Sequence, residues 1–213
     1  MSVSLSLSQT TLPMKIEGEF VIHETDNAFV KKILNGTLTS LDDTNVPPEI
    51  TQIRDYMFQN NSQLRTVSLN NIQSVGISSF QSCAIEQISM PVLESGSSRS
   101  FAYNKMTNVE FPSLFIIGNS MFLGCDQLVS ANFHTATYIG RNAFNGCSML
   151  ETLILGWGLV PDCEGTGFLN GTKIANGEGY IYVPSELVSD YKNNTYWSEY
   201  SSQIRSIDNL EVE

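Results

Sequence analysis

Five phenylalanines, Phe58, Phe80, Phe101, Phe122 and Phe144, follow one another at intervals of 22, 21, 21 and 22 residues. A fixed period of roughly 20 to 50 residues marks an array of stacked supersecondary units. Each unit of such an array touches only its neighbours, so the array grows along one axis and needs a cap at each end.

The period extends beyond the aromatic rings. Counting from the apolar residue after each Phe, further apolar residues fall at +3, +5, +8 and +11, and the next Phe falls at +16. The units read Leu64, Val67, Leu69, Ile72, Val75, Phe80; then Ile85, Ile88, Met90, Leu93, Gly96, Phe101; then Met106, Val109, Phe111, Leu114, Ile117, Phe122; then Leu128, Ala131, Phe133, Ala136, Ile139, Phe144. Only Gly96 breaks the pattern. An incomplete unit precedes them in Ile50, Ile53 and Phe58, and another follows in Leu150, Leu153 and Leu155. The apolar alternation at +3 and +5 has the period of a strand with one face inward. Three residues after each Phe stands Asn61, Cys83, Asn104, Cys125 or Cys147, a column suited to hydrogen-bonding the backbone at a turn.

The segments Ile53-Arg54-Asp55-Tyr56-Met57-Phe58, Ile117-Gly118-Asn119-Ser120-Met121-Phe122 and Ile139-Gly140-Arg141-Asn142-Ala143-Phe144-Asn145-Gly146-Cys147-Ser148-Met149-Leu150-Glu151-Thr152-Leu153 resemble the BspA-like leucine-rich repeats, also called the Treponema pallidum type. Their consensus is I-G-x-x-A-F-x-x-C-x-x-L-x-x-I-x-L. Gly96 departs from it, and Met57, Ser79, Ser100 and Met121 stand where the family has Ala. The resemblance implies an α/β-type repeat solenoid: a right-handed leucine-rich repeat with one short parallel strand per coil of 21 to 22 residues, capped at both ends. It also implies a bacterial origin, in Firmicutes, Bacteroides or a prophage. The segment from Gly179 to Pro184, with Tyr191 to Tyr200, looks like the closing element of such proteins from gut Firmicutes and their prophages.

Three regions are expected. Residues 1–49 form an N-terminal cap, with a strand-like arm at 2–8, strand character at 14–24, a short helix from Asp26 to Leu34 and a strand from Thr37 to Leu41. Residues 50–155 are the coils. Residues 156–213 hold a degenerate last coil and a strand–helix cap, with Tyr180–Val183 as the strand, Pro184 ending it and Ser185 capping a helix. Trp157, Tyr191, Tyr196 and Trp197 could form an aromatic platform for sugars, but cap packing is the preferred reading.

Composition bounds the partners. With 22 acidic against 11 basic residues, a net charge of −11 disfavours electrostatic binding of nucleic acid or anionic lipid. No apolar run approaches the roughly 20 residues of a membrane span, so no membrane insertion is expected. The serine-alternating start of the chain does not read as a secretory signal. The arm at 2–8 docks on its own solenoid or, as an unpaired strand, self-associates with a second copy. Only 15% of residues are charged, and 26 Ser, 18 Asn and 15 Thr supply a neutral, hydroxyl-rich surface.

Chemistry is scarce. His23 and His134 are the only histidines and are far apart, so no nucleophile–base–acid triad can be assembled. Cys83, Cys125, Cys147 and Cys163 lack metal-ligand spacing and read as buried thiols. Cys125 and Cys147 occupy equivalent ladder positions and are expected to stay reduced. Glu86, Glu94, Glu110 and Asp126 fall at unrelated repeat positions and read as a solubilising surface. Gly165, Gly167, Gly171, Gly177 and Gly179 form no phosphate loop. Sequons at Asn35, Asn60, Asn170 and Asn193 carry no assigned role. No catalytic residue, metal ligand or cofactor is assigned.

What remains is the outward side of the strands: Thr66, Ser68, Asn70; Gln87, Ser89, Pro91; Asn108, Glu110, Pro112; Ser130, Asn132, His134; Thr152 and Ile154. This neutral, hydrogen-bonding column suits many modest contacts with a protein or glycan partner. A non-enzymatic binding or adhesion module is therefore expected. By resemblance, its partner would be a host or bacterial surface, including proteins such as fibronectin, and its location the cell surface, the exterior or a phage particle. A structural part of a prophage tail or surface decoration is the alternative reading, and a hydrolase is a remote one.

Overall fold

The structure is a computed structural model and describes residues 37–210, except Asn45, Pro47, Glu49 and Trp157. The expectations for the arm, for residues 14–24 and for a helix from Asp26 to Leu34 lie outside the described residues.

The chain winds as a stack of coils held by parallel strands. One side carries β1 (Ser40–Asp42), β3 (Thr66–Ser68), β5 (Gln87–Ser89), β7 (Asn108–Glu110), β9 (Ser130–Phe133), β11 (Thr152–Leu155), β13 (Tyr180–Val183) and β14 (Ile204–Ser206). Another carries β2 (Gln52–Ile53), β4 (Ser74–Val75), β6 (Ser95–Gly96), β8 (Ile116–Ile117), β10 (Tyr138–Ile139) and β12 (Asp162–Cys163). Each regular coil thus holds the expected strand and, at position +11, a second short one. β2 to β12 form one six-stranded ladder, whereas the first side divides into a three-stranded sheet, β1-β3-β5, and a five-stranded sheet, β7-β9-β11-β13-β14. β5 and β7 are neighbours in the stack without joining in a ladder. On one side of this break Val109 on β7 is buried at the inward position, while on the other Ile88 on β5 is only partly buried.

The repeat positions build the core. Leu64, Leu69, Phe80, Ile85, Met90, Phe101, Met106, Phe111, Phe122, Leu128, Phe133 and Phe144 are fully buried. The five Phe rings form a column, with consecutive centroids 5.1, 5.5, 5.9 and 5.4 Å apart and planes within 15° of parallel. Each ring buries its neighbour's face, worth about 1.5–3 kcal/mol of apolar burial per side chain. The coils also share backbone hydrogen bonds here, from Phe58 N–H to Ser79 O (2.8 Å), Phe80 to Ser100 (2.9 Å), Phe101 to Met121 (3.0 Å) and Phe122 to Ala143 (2.8 Å).

The arc carrying Phe turns through two left-handed positions per coil. The first is held by Tyr56, Ser78, Arg99, Ser120, Asn142 and Gly167, the second by Asn60, Ser82, Tyr103, Gly124, Gly146 and Gly171. Glycine adopts this conformation without a steric penalty, and the other residues do not.

The column three residues after Phe is a ladder of donors to carbonyls. Cys83 Sγ donates to Phe58 O (3.0 Å), Asn104 Nδ2 to Phe80 O (2.8 Å), Cys125 Sγ to Phe101 O (3.2 Å) and Cys147 Sγ to Phe122 O (3.0 Å). Thr172, fully buried, ends the column by donating to Leu169 O at 2.7 Å.

The C-terminal end is closed by aromatic packing. Phe168 meets Trp197 (4.9 Å) and Tyr200 (5.6 Å) edge-on, and Tyr191 meets Trp197 at 5.0 Å. Tyr191 and Trp197 are buried and Tyr196 is partly buried against the same core, so these three are cap packing and not a platform. The Trp197 indole N–H donates to Pro161 O at 3.3 Å. Ser185 does not cap the helix: it lies within a 3-10 turn, Ser185–Leu187, preceded by Pro184 with φ −50°. The α-helix α1 (Val188–Asn193) follows that turn. Proline's fixed φ starts the turn and leaves the serine hydroxyl no helix end to cap.

Candidate functional site

The outward side chains of the first-side strands fall into rows because the strands pair in strict register. One row runs Asn108, Ser130, Thr152, Tyr180, and the next runs Glu110, Asn132, Ile154, Tyr182, Arg205. In the three-stranded sheet the same positions hold Ser40, Thr66 and Gln87, then Asp42, Ser68 and Ser89.

All eleven residues read from the sequence as a partner-binding face lie on this side or its rim. Ser68, Asn70, Gln87, Ser89, Asn108 and Glu110 are exposed; Thr66, Ser130, Asn132, His134 and Thr152 are partly buried. Several hydrogen-bond one another across coils. Ser130 Oγ donates to Asn108 Oδ1 at 2.8 Å, and Asn132 Nδ2 donates to Glu110 Oε1 at 3.3 Å. Asn70 stands at the rim, donating its backbone N–H and its side-chain amide to the carboxylate of Asp43. His134 lies against Gly156, where a Cβ would stand 2.9 Å from its Nδ1.

Charges beside the rows are paired between neighbouring coils: Arg65 with Glu86 (3.5 Å), Lys105 with Asp126 (3.1 Å) and Lys173 with Glu151 (2.7 Å). The hydrogen bond from Lys105 holds the Asp126 carboxyl below its ordinary range. These pairs are partly exposed and contribute little stability.

The sequence reading stopped at Ile154, yet the face continues over the cap strands. Tyr180 and Tyr182 meet edge-on at 6.2 Å, and the Arg205 guanidinium lies 4.7 Å above the Tyr180 ring. The alternation of Tyr180-Ile181-Tyr182-Val183 was visible, and so was its strand. Its place in the column was not, because the step from Thr152 to its partner Tyr180 is longer than a regular coil.

Elsewhere the chemistry is quiet. The four cysteines are free and buried. Burial pushes the thiols of Cys83 and Cys163 up to about 12. Cys147 is raised as well, first by the sulfur of Cys125 and then by burial. Burial also raises Tyr191 and Tyr200. Among the described residues no group of three His, Cys, Asp or Glu gathers as for a metal ion, and no helix is long and apolar enough to cross a membrane.

The chain is similar to two bacterial proteins of known structure. One is a leucine-rich repeat protein from Bacteroides ovatus, 15% identical, with a TM-score of 0.52 over 69% of this chain and 39% of that one. The other is the pneumococcal vaccine antigen PcpA, 16% identical, with a TM-score of 0.52 over 79% of this chain and 40% of that one. The chain spans about two fifths of the length of each, and at these identities the likeness is one of fold. No curated protein sequence matches it. The model of the BspA-type leucine-rich repeat region matches residues 27–151 in six copies. With the Phe column, the thiol–amide ladder and the paired parallel strands, that match over more than half of the sequence places the chain in the BspA-type leucine-rich repeat family.

Proposed function

We propose that the chain is a non-enzymatic binding module that captures a protein or glycan partner on the outward face of β1, β3, β5, β7, β9, β11, β13 and β14. The observation that carries this reading is the register of the strands. It aligns neutral hydroxyl and amide groups into rows several coils long, ending in Tyr180, Tyr182 and Arg205. Rows of modest hydrogen-bond partners with an aromatic and cationic end have the composition of protein recognition surfaces. The interior supports the same reading, since the column of Cys83, Asn104, Cys125 and Cys147 is spent on binding coil to coil.

The experiment is capture from panels of surface glycans and extracellular matrix proteins. Replacing Asn108, Asn132 and His134 with bulky charged residues leaves the fold intact by circular dichroism and abolishes capture. Capture that survives those changes but disappears on altering the cap surface would place the site elsewhere.

A further inference from the structure

The five-stranded sheet carries one charge of each sign on its outward strand positions. Glu110 stands on β7 and Arg205 on β14, in the same row, with Asn132, Ile154 and Tyr182 between them. Four strand spacings of about 4.8 Å separate the two charged positions by roughly 19 Å.

Neither charge is in an ion pair among the described residues, although ion pairs link neighbouring coils alongside. Glu110 accepts one amide hydrogen bond, from Asn132. Arg205 is held more firmly. Its Nη1 donates to Ser202 O (2.8 Å) and Ile204 O (3.0 Å), and its guanidinium carbon lies over the Tyr180 ring. That leaves Nε and Nη2 without a partner among the described residues, and two adjacent donors of a guanidinium match the two oxygens of a carboxylate. Within a chain that has twice as many acids as bases, this cation is fixed in place with no acid among the described residues to meet it. Beside it, partly exposed Ile154 and Tyr182 and the exposed Tyr180 offer apolar surface.

We propose that this row is a polar-ended track for an extended peptide segment of a partner protein. The occupant has a carboxylate at the Arg205 end, an apolar side chain beside it over Ile154 and Tyr182, and a basic residue at the Glu110 end. At about 3.3 Å per extended residue the two charges of the peptide are five to seven residues apart. This rests on the reading of the sheet face as the binding surface and narrows its ligand to protein. A glycan would use the hydroxyl and amide groups without requiring opposite charges at the two ends.

The test is binding of the whole chain to an array of extended synthetic peptides with an acid and a base at that spacing and an apolar residue next to the acid. The same peptides with acid and base exchanged, and a panel of uronic and sialic acid oligosaccharides, serve as controls. Peptides of the stated charge order are retained and lose about tenfold or more in affinity on exchange, since like-charge juxtaposition costs several kcal/mol. Arg205→Glu and Glu110→Arg each weaken the peptide, and the double reversal favours the exchanged one. Indifference to charge order, or retention of the oligosaccharides instead, overturns the track. If Asn132→Trp abolishes capture while Arg205→Glu leaves it unchanged, the face stands and the track falls. If neither change has an effect on capture, both fall.

Discussion

Met121 fills the space that a side chain at Gly96 would take: a Cβ on Gly96 would collide with the Met121 Sδ and Cε atoms. The two positions are the repeat's departures in adjacent coils, an aliphatic lost at +11 and a small residue enlarged just before Phe122. They compensate one another. Gly96→Val alone overpacks and is expected to cost about 1–3 kcal/mol, while Met121→Ala alone leaves a void and costs about 2–5 kcal/mol. The double variant recovers much of both losses, so a double-mutant cycle by urea unfolding shows a coupling of at least about 1 kcal/mol. Strict additivity would mean that the two volumes are independent.

The second left-handed column holds Gly124, Gly146 and Gly171 in the later coils but Asn60, Ser82 and Tyr103 in the earlier ones. Ser82→Gly relieves a strained backbone and is expected to stabilise by about 0.5–1 kcal/mol, with Gly146→Ala destabilising by more than that. Denaturant midpoints of the two variants, moving in opposite directions, check this.

Asn104 is fully buried and spans two coils: its Nδ2 reaches Phe80 O and Phe101 O, and its Oδ1 accepts from Ile85 N at 3.0 Å. Asn104→Ala strands the buried Ile85 N–H, leaves Phe80 O and Phe101 O only their weaker donors from Cys83 N–H and Cys125 Sγ, and costs about 1–3 kcal/mol. The buried hydroxyls of Ser79 and Ser100 have no hydrogen-bond partner among the described residues. Their replacement by Ala is expected to be neutral or to stabilise by about 1 kcal/mol. Thermal unfolding of the three variants separates a ladder residue from residues that merely occupy the small-residue column.

Burial of Cys83 and Cys163 lifts both thiols from 9.0 to about 12. Between those values the unfolded chain binds fewer protons than the folded one, so stability falls as pH rises. Below the unfolded value both states are protonated and the contribution is intact. Each thiol contributes a slope of up to about 1.4 kcal/mol per pH unit above 9. Urea unfolding at pH values of about 8 and 10 should show the loss, and Cys83→Ala should make it shallower. All four thiols should resist alkylation until the chain unfolds.

The sequence made the coils legible because one period governs packing, turns and strand register together. Every apolar ladder position from Leu64 to Phe144 is buried except Ile88, which is partly buried against the same core. The second strand of each coil was harder to read: it is two residues long, and a single inward residue such as Val75 or Ile139 carries no alternation. Of the two cap strands, Tyr180–Val183 was readable as a strand but not as part of the face, since the long step from Thr152 to Tyr180 broke the period, and the three-residue strand Ile204–Ser206 that carries Arg205 was missed. The exchange between Gly96 and Met121 was visible only as two separate exceptions. Volume complementarity between coils leaves no trace in a one-dimensional pattern.

The lapse in pairing between β5 and β7 lies opposite an unbroken ladder from β2 to β12. The same two coils stay joined away from the lapse, by Lys105 N–H donating to Ile85 O (2.8 Å), Ile85 N–H to Asn104 Oδ1 (3.0 Å) and Phe80 N–H to Ser100 O (2.9 Å), so only the outward strands part company there. The outward rows from Ser40 to Ser89 and those from Asn108 to Arg205 are therefore two separately registered surfaces on one continuous core.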